Sequence, residues 1–354
     1  MSNQQYFDQT VRFLVYLESF KQSEVDKFTP RIKAIDQIIR DTLLGEELTD
    51  LTVKSNEGVM AVTRASIQRE LDLYTTDLDK SLTDLGVYSF EYEVKSINNA
   101  YAGAAVASSE TTQKAVKKVI AKTPLSIKGS EGKLITDLFK NFGGSETERY
   151  INNINLARYE GKTNSQISQI VRGTRKNGYK DGLLDVTARQ ASTITRTTVQ
   201  HAAMQVKKEF SIQNSDIIVG EKMLATLDGK TSAICRWYDQ KVFRQGVGRR
   251  PPFHYNCRTS FILVIHPDYA GDGEIKTRAS KDGPTENVSY YKWLKKQPKD
   301  FQEDVLGKSR AKLMKSGGLS SEKFSQLQLD KNFNPLTLDQ MRQREPTAFR
   351  KAGL

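Results

Sequence analysis

The chain has 354 residues with 54 Lys/Arg against 42 Asp/Glu, a formal net charge of +12, and only 37% of its residues are hydrophobic. Mean hydropathy is −0.56, and no run of about 18 apolar residues occurs, which excludes a helical membrane protein. The first residues lack the basic and apolar order of a signal peptide, so we expect synthesis in the cytoplasm. The length allows two or three domains with an ordinary core.

The charge is unevenly distributed along the chain. Residues 1–100 hold 11 Lys/Arg and 17 Asp/Glu, a balance of −6, whereas residues 101–354 hold 43 and 25, a balance of +18. This asymmetry predicts an acidic helical region joined to a basic body that contacts DNA phosphates or an acidic protein surface. The alternative is a solvated basic face without a ligand.

The first 97 residues are predicted to be helical. Apolar residues recur three or four positions apart and define a helix before Pro30, a second that ends at Gly45, and a third over residues 63–85 with Gly86 beyond its end. The stripe of the first helix comprises Val11, Leu14, Val15 and Leu17. Residues 98–116 are rich in Ala, Ser and Thr, so we interpret residues 98–144 as a linker or a loosely packed crossing.

Residues 145–270 are predicted to form an α+β core. Ser145 and Glu148 have the spacing of a capping box, Thr163 is predicted to open the next helix, and a long helix is expected over residues 186–210. The apolar run 261–265 predicts a strand. Residues 271–354 are expected to be a basic helical tail with one helix over residues 308–314. The predicted fold is mainly α with a small α+β domain.

The scarcest side chains converge on one segment. Cys235, His254 and Cys257 form a C-x18-H-x2-C array between turn signals, which we interpret as a knuckle between two strands. The array is compatible with three interpretations. In the first, the three side chains bind zinc, with Asp228, His266 or water as fourth ligand. In the second, the cysteines form a disulfide, and in the third they are buried thiols beside a histidine that is hydrogen-bonded to a backbone carbonyl.

Arginines cluster on the same segment. Arg244, Arg249 and Arg250 lie in a glycine-rich loop, and guanidinium groups bind phosphates, so the loop is a candidate for DNA contact without sequence specificity. Simple exposure of the loop is the alternative. Arg258, beside Cys257, is expected to pair with an internal carboxylate such as Asp228.

The tail carries a third candidate site. Trp293, Leu294 and Phe301 alternate with lysines, a pattern that suits a helix docked on a partner protein as well as the edge of a core.

Catalytic patterns are few. The sequence has no phosphate-binding GxxxxGKS loop, no GxGxxG, no HExxH and no GxSxG. His201 is a lone histidine on a predicted helix, and Asp181 and Asp185 lie one helical turn apart in a chain rich in carboxylates. We therefore do not expect an enzyme.

The segment around the cysteines resembles the signature of the phage Mu F-like head-morphogenesis family, Asp-x-(Arg/Lys)-Thr-Ser, then Cys, then Pro-Pro-x-His-x-Asn-Cys-Arg. The matching residues are Asp228, Lys230, Thr231, Ser232, Cys235, Pro251, Pro252, His254, Asn256, Cys257 and Arg258. Upstream, Arg196-Thr197-Thr198 stands where the family usually has Arg-Thr-Glu. The likeness covers roughly residues 161–320.

The resemblance implies a structural minor head protein of a tailed phage. Such a protein would be present as an oligomer or in few copies in the virion, bound to the portal protein or to capsid proteins of the inner shell, and involved in head morphogenesis and in genome packaging or delivery. Non-specific contact with DNA is expected, and contact with a membrane is not. Two other classes stay open: a nuclease or toxin-type effector with a Mu F-like domain, and a zinc-dependent nucleic-acid-binding module.

Overall fold

Long helices build the first half of the molecule. The computed structural model of the protein describes residues 3–47, 53–101, 106, 113–127, 129–270 and 273–354. The helices are α1 (Asn3–Asp26), α2 (Thr29–Glu47), α3 (Val53–Ala100), α4 (Gln113–Lys122), α5 (Ile135–Tyr159), α6 (Asn164–Arg172) and α7 (Leu183–Gln213). Helix α3 has 48 residues, about 70 Å at the α-helical rise. It packs against α1, α2, α4, α5 and α7.

The helices of the first hundred residues are longer than the pattern predicted, and the predicted stripe of α1 is wrong at Val15. Leu17 is buried, and Val11 and Leu14 are partly buried against the core, whereas Val15 is 64% exposed. Tyr6, Phe7 and Phe13 take further buried positions on α1. Gly86 lies inside α3 and does not end it. A Cβ at Gly86 would lie 2.4 Å from a Val116 methyl carbon of α4, so this glycine permits the close approach of two helices.

The predicted linker is packed in the parts that the structure describes. Val116 and Ile120 of α4 and Leu125 beyond it are buried. Residues 102–105, 107–112 and 128 lie outside the described residues. Helix α5 begins ten residues before Ser145, so the capping box predicted there was wrong. The prediction at Thr163 is confirmed, because its hydroxyl caps α6 by accepting from the Gln166 amide.

Two hydrophobic cores, divided differently from the predicted domains, organise the chain. The larger core extends from Tyr6 to Ile265. The acidic region 1–97 is therefore part of one body with the central segment, chiefly through the packing of α3 on α7. The second core is formed by α9 (Tyr290–Lys295), α10 (Lys299–Leu306), α11 (Lys308–Ser316), α12 (Ser321–Gln326), α13 (Leu338–Arg344) and α14 (Pro346–Ala352).

A small antiparallel sheet follows α7 directly. It contains β1 (Ile218–Leu224), β2 (Val242–Arg244) and β3 (Ser260–Ile265) in the order β2-β1-β3, with helix α8 (Ala233–Tyr238) between β1 and β2. A separate hairpin pairs β4 (Thr277–Ser280) with β5 (Gly283–Glu286). The predicted mainly α fold with a small β-containing part, and the strand at 261–265, are confirmed. No helix among the described residues is long and apolar enough to cross a bilayer.

The buried ion pair of Arg278 and Asp239 joins the hairpin to the end of α8. The guanidinium donates to both carboxylate oxygens at 2.9 and 3.0 Å, and both side chains are at most 1% exposed. Asp239 also accepts from the backbone amide of Tyr290, the first residue of α9. One carboxylate thus connects the sheet region to the C-terminal core.

Candidate metal centre

Two local structures present the cysteines and the histidine. Cys235 lies on α8, whose first turn is capped by the Ser232 hydroxyl accepting from the Cys235 amide. His254 and Cys257 lie in the turn before β3, where the Cys257 amide donates to the His254 carbonyl at 3.2 Å. The turn and the helix bring residues about twenty positions apart into contact.

The three side chains form one cluster. Cys235 Sγ lies 3.1 Å from His254 Nε2 and 3.7 Å from Cys257 Sγ, and the three potential ligand atoms all lie within 4.8 Å of one another. The sulfur atoms are well beyond the bonded distance of about 2.05 Å, and both cysteines are free and buried. The group could therefore hold a metal ion, and the disulfide alternative does not describe this structure.

A backbone carbonyl orients the imidazole. His254 Nδ1 lies 2.7 Å from the carbonyl oxygen of Tyr255, so in the neutral ring Nδ1–H donates and Nε2 presents its lone pair to the thiols. Metal-binding histidines usually have such a partner on the second nitrogen. From the sequence, we expect a hydrogen bond to a backbone carbonyl for a histidine that binds no metal. The same hydrogen bond also orients His254 as a metal ligand.

Asn256 fixes the turn to helix α7. Its backbone has φ +57°, in the left-handed region that asparagine tolerates better than most residues. Its amide donates to Thr197 Oγ1 at 3.0 Å. The asparagine of the Pro-Pro-x-His-x-Asn-Cys-Arg pattern therefore has a structural role, as does Thr197 of the upstream Arg-Thr-Thr segment.

Asp228 is not a ligand of the candidate metal centre, because its carboxylate forms an ion pair with Arg258. The guanidinium donates to the two carboxylate oxygens at 2.7 and 2.9 Å, and Thr231 Oγ1 donates to one of them at 3.0 Å. Burial alone would raise the pKa of Asp228, but these bonds and the Arg258 charge lower it. The predicted Asp228–Arg258 pair is confirmed, and Asp228 as fourth ligand was wrong.

His266 is also outside the cluster. It follows the far end of β3, and its ring nitrogen lies 3.5 Å from a carboxylate oxygen of Asp268. In the ranges that the structure describes, no further His, Cys, Asp or Glu joins the three-residue group. A bound metal ion would therefore have three ligands from these residues.

The cluster favours one thiolate. Burial would raise the pKa of Cys257, but hydrogen bonds from Cys235 and His254, with the imidazolium charge, hold it well below its usual value. Burial, reinforced by the neighbouring sulfur, raises the pKa of Cys235. Burial would lower the pKa of His254, and its interaction with Cys257 raises it instead. Cys257 is thus the first thiol to ionise, and a bound cation would favour ionisation of the second.

A buried lysine supports the segment after Cys257, and the sequence pattern did not reveal it. Lys21 of α1 is 1% exposed, and its ammonium donates to Glu18 at 2.5 Å and to the Gln200 side-chain oxygen at 2.6 Å. Gln200 in turn donates to the Thr259 carbonyl at 2.7 Å. Helices α1 and α7 thereby hold the chain between the cluster and β3. Only the tertiary structure brings residues 21 and 259 together.

The structure separates the three arginines proposed for DNA contact. Arg244 is exposed on β2, Arg249 is half-buried and donates to the Ser126 carbonyl, and Arg250 is buried in an ion pair with Glu221. Arg250 cannot reach a phosphate from this position. The prediction of a joint DNA-binding loop was wrong for Arg250, because the carboxylate of β1 binds its guanidinium.

The proposed docking residues of the tail belong to the second core. Trp293 is 2% exposed and Leu294 is fully buried. Phe301 is half-buried, and its ring packs edge-on against Trp293 with 5.8 Å between centroids. Trp293 and Leu294 as docking anchors were wrong, because the C-terminal helices cover them.

The remaining titratable candidates have partners within the fold. His201 is buried, and its Nε2 lies 3.1 Å from the Thr123 carbonyl. Asp181 accepts bonds from the backbone and side chain of Thr174 and from Asn177, which lower its pKa to about 2. Asp185 pairs with Arg189 at 2.7 Å. The partners of the two carboxylates are close to them in sequence, whereas Thr123 lies 78 positions from His201.

Comparison with known proteins assigns the chain to no family. No family model, no curated protein and no solved structure matches the chain.

Proposed function

We propose that Cys235, His254 and Cys257 bind one zinc ion that serves as a structural centre. The observation that carries the proposal is the convergence of two sulfurs and one imidazole nitrogen within 4.8 Å. Thiolate and imidazole are the donors that zinc prefers in proteins, and the pair is unsuited to calcium or magnesium. Support also comes from the Tyr255 carbonyl, which holds the imidazole with Nε2 towards the thiols.

The zinc ion would connect two elements that are separated in sequence, helix α8 and the turn before β3. Helix α8 carries one ligand, the turn before β3 carries two, and the 18 residues between Cys235 and His254 include the edge strand β2. Because such a site does not exist in the unfolded chain, the binding free energy of the metal contributes to folding. The metal therefore stabilises the small sheet against α7.

Two histidine substitutions test this proposal. The purified full chain is expected to contain about one zinc ion per molecule, His254→Gln to lose it, and His266→Gln to retain it. Elemental analysis measures the metal and thermal unfolding measures its contribution to stability. Equal zinc content in the two variants, or none in the unmodified chain prepared with zinc, would contradict the proposal.

At the level of biology, we propose a structural minor head protein of a tailed phage, acting in the virion beside the portal protein and the capsid shell. The support is the Mu F-like signature. Its Asp, Thr, Ser, Asn and Arg residues make the contacts that shape the cluster, as the Asp228–Arg258 and Asn256–Thr197 bonds illustrate.

Virion composition tests the assembly proposal. When the chain is expressed during infection by the phage that encodes it, mass spectrometry should find it in purified heads in few copies. Heads should then retain it through washing at high salt. Its absence from mature heads and from assembly intermediates would remove the proposal, and cleavage of DNA or RNA by the purified chain would favour the nuclease alternative.

Contact with DNA, if part of that role, is better placed on the C-terminal helices than on the loop 244–250. Helices α11 and α14 pack on each other and contain no acidic residue. Their exposed cations are Lys308, Lys312, Lys315, Arg350 and Lys351. Glu303 of the neighbouring helix α10 also lines this surface beside Lys308, Lys312 and Lys315, but the cations outnumber it. A surface with a net positive charge binds phosphates without reading bases, and binding weakens steeply with salt.

Charge-reversal variants show whether the C-terminal helices or the loop 244–250 contact DNA. Lys308→Glu, Lys315→Glu and Arg350→Glu together should weaken binding to duplex DNA by at least tenfold at low salt and reduce the salt dependence. Arg244→Glu, on the exposed part of the loop, is compared with Arg350→Glu alone, which changes the charge equally, and should have the smaller effect. The opposite order of effects would return the contact to the loop.

A further inference from the structure

A small polar cavity adjoins the cysteine and histidine cluster. Its volume is about 20 Å³, which is room for about one water molecule. Cys235 and His254 are among its lining residues, and the fully buried Cys257 is not. The other lining residues are Thr226, Lys230, Thr231, Ser232, Asn256, Arg258 and Thr259.

The residues described by the structure provide three ligands, and zinc normally takes four. The nearest acidic candidate in the motif, Asp228, has both carboxylate oxygens bonded to Arg258. His266 lies at the other end of β3, beside Asp268. The fourth position must therefore be filled from outside this set.

We propose that the fourth coordination position opens into this cavity and holds an exchangeable water molecule or small monodentate anion. The inference rests on the proposed zinc centre. Two lining residues, Cys235 and His254, are themselves ligands, so a molecule in the cavity lies beside the metal position. Thr231 and Ser232 line the cavity. The Thr231 hydroxyl donates to Asp228 and the Ser232 hydroxyl accepts from the Cys235 amide, and either oxygen can accept a hydrogen bond from a coordinated water.

The cavity selects its ligand by charge and by size. Its lining residues include two cations and no carboxylate. The charge of Arg258 is compensated by Asp228, so Lys230 is the cation that favours an anion over a neutral ligand. Its volume admits a water, hydroxide, halide or the end of an azide ion, and excludes a phosphodiester or a peptide. The site therefore exchanges a small ligand and does not bind a macromolecular substrate at the metal.

Cobalt(II) in place of zinc makes the coordination visible, because its absorption bands respond to the fourth ligand. The full chain is loaded with cobalt and titrated with sodium azide and, separately, with imidazole. We expect azide to shift the visible bands in a saturable manner and imidazole, which is larger than the cavity, to leave them unchanged. Lys230→Glu should weaken azide binding at least threefold without changing the spectrum before azide is added.

The outcomes distinguish this inference from the proposal on which it rests. Failure of the unmodified chain and of His266→Gln to bind cobalt would overturn the metal centre itself. Cobalt bound with a spectrum that azide does not change would leave the centre in place and overturn the exchangeable position, since a protein group would then fill it. An equal response to imidazole would overturn the assignment of that position to this cavity. Azide binding unaffected by Lys230→Glu would overturn the preference for anions.

Discussion

Replacement of Arg250 tests whether the glycine-rich loop is held by a buried ion pair. The Arg250 and Glu221 side chains are 2% and 0% exposed, and the guanidinium also donates to the carbonyls of Val247 and Arg244. Arg250→Met leaves the Glu221 carboxylate buried without its counter-ion. Loss of one partner of a buried pair costs about 3–5 kcal/mol of unfolding free energy, and we expect a destabilisation in that range.

Replacing both partners of the Arg250–Glu221 pair gives a more specific test. Glu221 Oε1 has no hydrogen-bond partner, so the carboxylate is incompletely compensated even in the intact pair. Glu221→Leu combined with Arg250→Met should therefore be more stable than either single variant. Urea denaturation followed by circular dichroism gives the four free energies, and exposed Arg244→Met, expected within about 0.5 kcal/mol of the unmodified chain, is the control. Arg250→Met as stable as Arg244→Met would refute the structural role of the pair.

Three further predictions concern other parts of the molecule. Burial lowers the pKa of His201 to about 4, so below about pH 6.5 the unfolded chain binds a proton that the folded chain does not; stability should fall by about 3 kcal/mol between pH 6.5 and 4. Urea titrations at several pH values should show this component lost in His201→Gln, and identical pH dependences would exclude it. Trp293→Ala should cost about 3–5 kcal/mol of unfolding free energy while zinc content stays unchanged, and a variant as stable as the unmodified chain would show that Trp293 is not a core residue. A chelator should lower the melting temperature of the unmodified chain but not of Cys257→Ser, and equal shifts in both would show that the chelator acts elsewhere.

The sequence predicted the elements whose signals are local. The Thr163 cap depends on residues three positions apart, and the strand at 261–265 on one apolar run. The cluster of Cys235, His254 and Cys257 was also accessible, because scarce side chains within 23 residues of one another can meet only in a few ways. The pair of Asp228 and Arg258 followed from the same short segment.

The predictions failed where a partner distant in sequence decides the environment. The sequence around an apolar residue between lysines looks the same whether that residue is buried or exposed. Trp293 is buried because helices later in the chain pack over it. Arg250 resembles any loop arginine until β1 places Glu221 beside it. Gly86 resembles a helix end until α4 approaches it. Spacing within one segment contains no information about such contacts.

The packing of α3 on α7 has a consequence for synthesis. The chain leaves the ribosome from its N-terminus, so α1, α2 and α3 emerge before residues 183–213 exist. Until α7 appears, the first helices can pack on one another and on α4, α5 and α6. The part of the core that α7 covers stays open, and α7 contributes fully buried residues such as Val199, Ala202 and Phe210 to it. Nascent chains that stop before residue 183 should therefore expose apolar surface and aggregate. The larger core is therefore completed only after α7 and the strands that follow it have been made.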